Sequence, residues 1–193
     1  MTMRIKYVAL PMTAFVVACT SKPVAHHYYL IESSAPTSQI NSSHQIVLYP
    51  IKLSDYLNSH SLHVKNDVGE VLYSTTDSWA EQPDKMLWRV ISKELEKQSG
   101  HHILASYETL SSCAQIKVRI NELSPTTTGR IVSNGRWFIS AGDETLKTNT
   151  FSYIGDISAD GYFASNEIFA DHLSALSLAV SYTHLTLPTI LLV

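Results

Sequence analysis

The stretch Ile116-Lys117-Val118-Arg119-Ile120-Asn121 alternates apolar and polar side chains without a break. Successive side chains of a β-strand point to opposite faces of a sheet, so this pattern predicts a strand with one face buried and the other in water. The sheet to which it belongs must therefore have an apolar face that other elements cover.

Strands are predicted on both sides of this stretch. Arg130 to Ser140 contains Asn134-Gly135, a pair that also suits a tight hairpin turn, but one long strand is favoured because either half would be very short. A further strand at Thr148 to Ile154 places Phe151 and Tyr153 on one face. The strands predicted earlier in the chain are Tyr28 to Ile31, Gln45 to Leu53, a hairpin of Leu62–Lys65 with Val71–Tyr73, and Ile103 to Ala105.

Two helices are predicted. The first runs from Ser78 to Gln98, because Ser78 and Glu81 have capping-box spacing and Gly100 is a typical helix stop. The second runs from Ala164 to Val180 with apolar residues at helical spacing. The predicted fold is α+β and two-layered, with both amphipathic helices on one face of a largely antiparallel or mixed sheet.

The N-terminus has the pattern of a secretory signal peptide. Arg4 and Lys6 precede Tyr7 to Ala18, an uncharged segment too short for a bilayer span of about 20 residues. Val16-Val17-Ala18-Cys19 resembles the lipobox of bacterial lipoproteins, which implies acylation of Cys19 and removal of residues 1–18. A plain signal peptide with a chance cysteine is the alternative. Thr20 stands where an Asp would retain a lipoprotein at the inner membrane, so the resemblance implies the outer membrane.

The remaining boundaries follow from composition. Residues 19–27 are short and polar and are interpreted as a tether, and residues 28–180 are interpreted as one domain. Residues 181–193 break helical periodicity with three Thr and Pro188, then end in an apolar run. They resemble translated adapter read-through and are interpreted as a non-native tail, with a genuine edge strand as the alternative.

Charge and cysteine content exclude several classes of protein. The chain has 14 basic and 17 acidic residues, a net charge of −3, and loss of Arg4 and Lys6 makes it more acidic, which argues against a nucleic-acid partner. With Cys19 acylated, Cys113 has no disulfide partner and is interpreted as a small buried residue.

Four stretches in order resemble the ABC-transport auxiliary lipoproteins of the PqiC type. They are the lipobox at Cys19, Tyr28-Tyr29-Leu30, Pro50 to Leu57, and Trp79-Ala80-Glu81-Gln82-Pro83 at the start of a helix. The resemblance implies a non-enzymatic accessory subunit of intermembrane lipid transport, anchored by its lipid on the periplasmic face of the outer membrane. It also implies a homo-oligomeric ring that docks the conduit of an MCE-domain partner, with no cofactor beyond the lipid on Cys19.

The residues themselves carry no recognisable catalytic or metal-binding motif. A Gly-x-Ser-x-Gly elbow, a phosphate-binding glycine loop and a paired-cysteine metal motif are all missing from the sequence. His60 with His63, and His101-His102, suggest metal ligands only weakly and are interpreted as surface or turn histidines. Asp143-Glu144 is interpreted as a solvated turn.

Partner binding is assigned to a turn. Asp55, Tyr56 and Leu57 are predicted on an exposed turn and are the main candidates for an interface. Trp79 is a further candidate, although a core position at the start of a helix is favoured. A monomeric ligand-binding lipoprotein and a lipid-tethered hydrolase remain as alternative functions.

Overall fold

A computed structural model describes residues 24–33, 45–108, 113–142, 144–157 and 162–185. The elements in chain order are β1 His27–Tyr29, β2 Gln45–Leu48, β3 Lys52–Leu53, a 3₁₀ helix Asp55–Asn58, β4 Ser61–Lys65, β5 Val71–Trp79, α1 Pro83–Ser99, β6 His102–Ala105, a 3₁₀ turn Ser106–Glu108, β7 Ala114–Pro125, β8 Arg130–Ala141, β9 Glu144–Asp156 and α2 Tyr162–Leu185.

The larger sheet has six strands in the order β6-β2-β7-β8-β9, and β3 also pairs with β7. The pairs β7–β8 and β8–β9 are antiparallel, while β2 and β3 run parallel to β7. Arg130 to Ser140 thus lies in one long strand, as predicted, and Asn134 pairs within it rather than making a turn. The predicted strand Gln45 to Leu53 is divided at Tyr49–Ile51, where Pro50 supplies no amide hydrogen for a ladder.

The smaller sheet has the order β1-β5-β4. The predicted hairpin is confirmed as β4 and β5 joined through Asn66 to Glu70, with Gly69 at φ 88°. Strand β1 adds to β5 in parallel, opposite residues 77–79. The two sheets contact each other through β4 and β7, and Lys65 bridges to Thr126, the residue that follows β7.

The six-stranded sheet has one face covered by helices and one face open. The covered face carries Ile116, Val118 and Ile120 of β7, and both helices pack into the same hydrophobic core as these residues and contact each other. The open face carries the intervening residues of β7 and β8, which include Arg119 and Arg136. The fold is therefore α+β, with a mixed sheet and two helices, as predicted.

Helix α1 begins five residues later than the sequence pattern suggested. Ser78 lies in β5 opposite Ser61, so the capping-box interpretation was wrong. Gln82 precedes the helix and Pro83 occupies its first turn, where a missing amide hydrogen costs nothing. Gly100 ends the helix in the left-handed conformation, at φ 70°, and its amide donates to the Glu96 carbonyl at 2.9 Å, as expected for a C-terminal cap.

Helix α2 continues beyond the predicted end at Val180. Val180 and Ser181 are 1% and 3% exposed, so packing against the core extends the helix to Leu185 despite residues of low helix propensity. Residues 186–193 lie outside the described part of the chain, and the foreign origin of 181–193 stays a prediction. In the described ranges, neither helix has the length and apolar character needed to cross a membrane.

A buried carboxylate joins the two helices to the N-terminal segment. Glu94 of α1 is 1% exposed and accepts hydrogen bonds from Ser33 Oγ at 2.5 Å and Ser174 Oγ at 3.0 Å. A buried charged group is stable only when its oxygens have donors, and these two hydroxyls supply them. Glu94 therefore fixes the chain after β1 against both helices.

Candidate partner-binding surface

The structure divides the predicted interface residues between surface and core. Asp55 is exposed and Tyr56 is half-buried, but Leu57 is only 6% exposed and belongs to the hydrophobic core. The prediction of an exposed turn was therefore wrong for Leu57. A 3₁₀ helix turns once every three residues, so one side chain of this short helix points inward, and the helix contacts α1.

Trp79 is also a core residue, which confirms the favoured interpretation of its position. It is 7% exposed at the end of β5, and its ring centroid lies 6.2 Å from that of Phe169 in α2. Its amide donates to the His60 carbonyl at 2.7 Å. Trp79 therefore links the small sheet to the helical layer and does not present a surface to a partner.

Three rings form a continuous cluster beside Asp55. Tyr56 and His63 meet edge to face with centroids 5.5 Å apart, and His63 lies 5.9 Å from Tyr73. The Tyr73 hydroxyl donates to the Tyr56 carbonyl at 3.0 Å, and the Tyr56 hydroxyl donates to the Asn121 carbonyl at 3.2 Å. We call Asp55, Tyr56, His63 and Tyr73 the aromatic corner.

Two rings of the corner, His63 and Tyr56, are hydrogen-bonded and have pKa values shifted towards the uncharged form. His63 is 5% exposed, and its Nε2 lies 2.8 Å from Ser124 Oγ. Burial lowers the pKa of His63 because the charged imidazolium is poorly solvated there. Burial likewise raises the pKa of Tyr56, against an opposing hydrogen bond from Ser124. The interpretation of His63 as a surface or turn histidine was wrong.

Tyr73 is the outward-facing ring of this cluster, with 46% of its surface exposed. A half-exposed tyrosine held by a fixed hydrogen bond offers contact area at little entropic cost, which is typical of interface anchors. The sequence contained a signal for it. In a hairpin across Asn66 to Glu70, His63 and Tyr73 are equally far from the turn, and the structure pairs them.

The described histidines give little support for metal binding or for nucleophilic catalysis. In the described ranges, no three His, Cys, Asp or Glu side chains lie close enough together to hold a metal ion. Among the described residues, Ser124 Oγ lies 2.8 Å from His63 Nε2, and Ser133 Oγ lies 2.7 Å from His172 Nδ1. Both hydroxyls are buried, at 0% and 2% exposure, so neither can reach a substrate from solvent.

Other predicted positions are placed as follows. Cys19 and Asp143 lie outside the described part of the chain, and Glu144 is exposed at the start of β9. Cys113 is half-buried and free, rather than fully buried. His60 is exposed, and its Nδ1 lies 3.4 Å from the Trp79 carbonyl oxygen.

Comparison with known proteins identifies the family. The sequence profile of the ABC-type transport auxiliary lipoprotein component matches residues 28–180. The chain belongs to this family. Its members are auxiliary lipoproteins of transport systems, and the match includes the whole aromatic corner and, apart from His27, every strand of both sheets. No curated protein sequence is significantly similar to the chain.

Two solved structures have the fold of this family member. An uncharacterized protein superposes with a TM-score of 0.71 at 15% identity, covering 83% of this chain and 99% of its own. Protein XCC0632 from Xanthomonas campestris gives a TM-score of 0.63 at 14% identity, covering 85% of this chain and 96% of its own. At these identities the similarity establishes the fold.

Proposed function

We propose that this lipoprotein is a non-enzymatic accessory subunit of an MCE/ABC-type intermembrane lipid transport system. It is anchored through Cys19 on the periplasmic face of the outer membrane and docks the transport conduit there. The observation that carries the proposal is the family match over residues 28–180. The lipobox pattern Val16 to Cys19 supports the anchor. A ring of identical subunits is the assembly that the resemblance implies.

The aromatic corner is the surface we assign to the MCE-domain partner. Asp55, Tyr56 and Tyr73 are accessible there, whereas Leu57 and Trp79 are core residues and are not part of the surface. Tyrosines held by hydrogen bonds beside a charged rim residue match the composition of interface centres. The lipid-tethered hydrolase is disfavoured because the serines of the Ser124–His63 and Ser133–His172 pairs are buried.

Binding of the partner tests the proposal. Tyr56→Ala and Tyr73→Ala, in the full-length lipoprotein, should each weaken pull-down of the MCE-domain protein by about tenfold or more, the loss expected at an interface anchor. Tyr182→Ala is the matched control, because this α2 tyrosine is 66% exposed outside the corner. Circular dichroism should remain unchanged for all three. Normal binding by both corner variants would place the interface elsewhere.

A monomeric ligand-binding lipoprotein is the second candidate, and a groove of about 920 Å³ on the open face favours it. Size in detergent distinguishes the two candidates, because a ring-forming subunit is oligomeric and a solute binder is monomeric. Mass spectrometry of the mature N-terminus tests the anchor. Acylated Cys19 is the expected product, and an unmodified N-terminus at another residue would remove the membrane assignment.

A further inference from the structure

A row of cations crosses three strands on the open face of the six-stranded sheet. Lys52 of β3 lies directly opposite Arg119 of β7, and Arg119 lies directly opposite Arg136 of β8. Lys117 lies two residues before Arg119 on the same face of β7. All four side chains are exposed. We call Lys52, Lys117, Arg119 and Arg136 the basic row.

The basic row has no acidic partner in the described part of the chain. The ion pairs found there join other residues, and Glu122, the acid closest along β7, is already bonded to Lys65 Nζ at 2.7 Å and Asn134 Nδ2 at 2.8 Å. Like charges directly opposite each other destabilise a sheet. The row is also not a by-product of a basic composition, because the chain is acidic overall. Because no described residue compensates its charge, the basic row is a candidate site for an anionic ligand.

The basic row lines a groove whose walls are partly apolar. The groove has a volume of about 920 Å³, within the range of about 300–1,000 Å³ typical of small-molecule sites. Tyr49, Pro50 and Phe138 line it beside the cations. Lys117 Nζ lies 4.8 Å from the centroid of the Tyr49 ring, a cation–π contact that holds the ammonium at the groove.

This combination fits an amphiphile with an anionic head. A guanidinium presents parallel N–H donors that match two phosphate oxygens, and two arginines here are adjacent. Aromatic and proline surfaces next to them suit glycerol and acyl carbons, which a free anion lacks. A long acidic peptide would instead favour cations spread along a surface, and these four are concentrated within three neighbouring strands.

We propose that the groove binds the phosphate-bearing headgroup of an anionic phospholipid, with Arg119 and Arg136 contacting the phosphate. This ligand is additional to the partner-docking role and uses a different surface. Variants of the aromatic corner should therefore keep lipid binding, and variants of the basic row should keep the partner. Failure of one proposal is thus distinguishable from failure of the other.

Calorimetric titration of the full-length lipoprotein in non-ionic detergent tests the site. The titrants are dihexanoyl phosphatidic acid, dihexanoyl phosphatidylcholine and inorganic phosphate. Phosphatidic acid should bind more tightly than either of the others, and its affinity should fall with added salt, because the interaction is between exposed charges. Equal affinity for the two lipids would overturn the proposal. Tighter binding of inorganic phosphate would also overturn it.

The double variant Arg119→Gln/Arg136→Gln should weaken phosphatidic acid binding by about tenfold or more, since it removes two charge-assisted contacts. Lys93→Gln/Lys97→Gln is the charge-matched control, because both lysines are exposed on α1, and it should bind normally. Lys52→Gln/Lys117→Gln provides an independent test should the arginine variant misfold. Unchanged affinity in a folded basic-row variant, or a preference for polyglutamate over phosphatidic acid, would overturn the lipid assignment.

Discussion

On the covered face of the six-stranded sheet, Ile116, Val118 and Ile120 are at most 2% exposed, whereas Arg119 and its neighbours on the open face lie in water. These residues alternate within one strand, so two opposite surfaces share a single backbone. The covered face supplies stability, because each buried aliphatic side chain contributes about 1.5–3 kcal/mol. We expect the open face to lower stability, because its cations lie directly opposite each other. The residues that stabilise the fold and the residues assigned to recognition thus lie on opposite faces of the same sheet.

The strongest test of this comparison uses adjacent residues of β8. Trp137 points into the core at 1% exposure, and Phe138 is half-buried at the open-face groove. Trp137→Ala should lower the free energy of unfolding by about 3–5 kcal/mol, as for other large aromatic truncations in a core. Phe138→Ala should lower it far less. Urea unfolding of both variants gives the measurement, and equal losses would contradict the assignment of the two faces.

Gly135 tests how tightly the covered face is packed. A Cβ at this position would overlap the Arg119 carbonyl oxygen and lie 2.8 Å from Phe151 Cζ. Gly135→Ala should therefore cost about 1–3 kcal/mol by overpacking. Thr148→Ala, at an exposed position of β9, is the control and should be nearly neutral. If Gly135→Ala left the free energy of unfolding unchanged, the backbone at the irregular register beside Ile120 would have to shift at little cost.

The covered face also contains a pH-sensitive pair, Ser133 and His172. Burial lowers the pKa of His172 below its ordinary value of 6.5, with the Asp171 charge opposing. The unfolded chain then binds more protons than the folded one just below pH 6.5, so stability is fully present above that pH and falls as the pH drops through it. Urea unfolding at several pH values should show a shallower fall in His172→Gln. An unchanged slope in His172→Gln would contradict this assignment.

The smallest expected effect has the opposite sign. Arg136→Thr removes the cation opposite Arg119 and should raise the free energy of unfolding by about 0.2–1 kcal/mol. The gain should shrink at high salt, which screens exposed charges. Arg130→Thr, at the exposed start of the same strand, serves as the control. A loss of stability in Arg136→Thr would show that the basic row is compensated within the fold.

The covered face was predictable because the alternation of apolar and polar residues indicates directly which side chains are buried. Ile116, Val118 and Ile120 fixed the strand and its buried side, and local signals such as Gly100 fixed the end of α1. Features that depend on distant residues were missed. The basic row requires Lys52 to meet Arg119, which only the strand pairing reveals. Leu57 was misplaced because the direction of a side chain in a short 3₁₀ helix depends on what packs behind it.

Strand β2 has a consequence for the order in which the chain folds. It lies between β6 and β7, so the hydrogen-bond ladders of β2 are complete only after Ile46 has paired with both Ile103 and Ala114. Strands β7, β8 and β9 form a local meander that closes quickly, whereas parallel pairing over such distances pays a large loop-closure entropy first. We therefore expect the meander to form early and β2 to enter it late, so that the rate of folding is set by the N-terminal half of the domain.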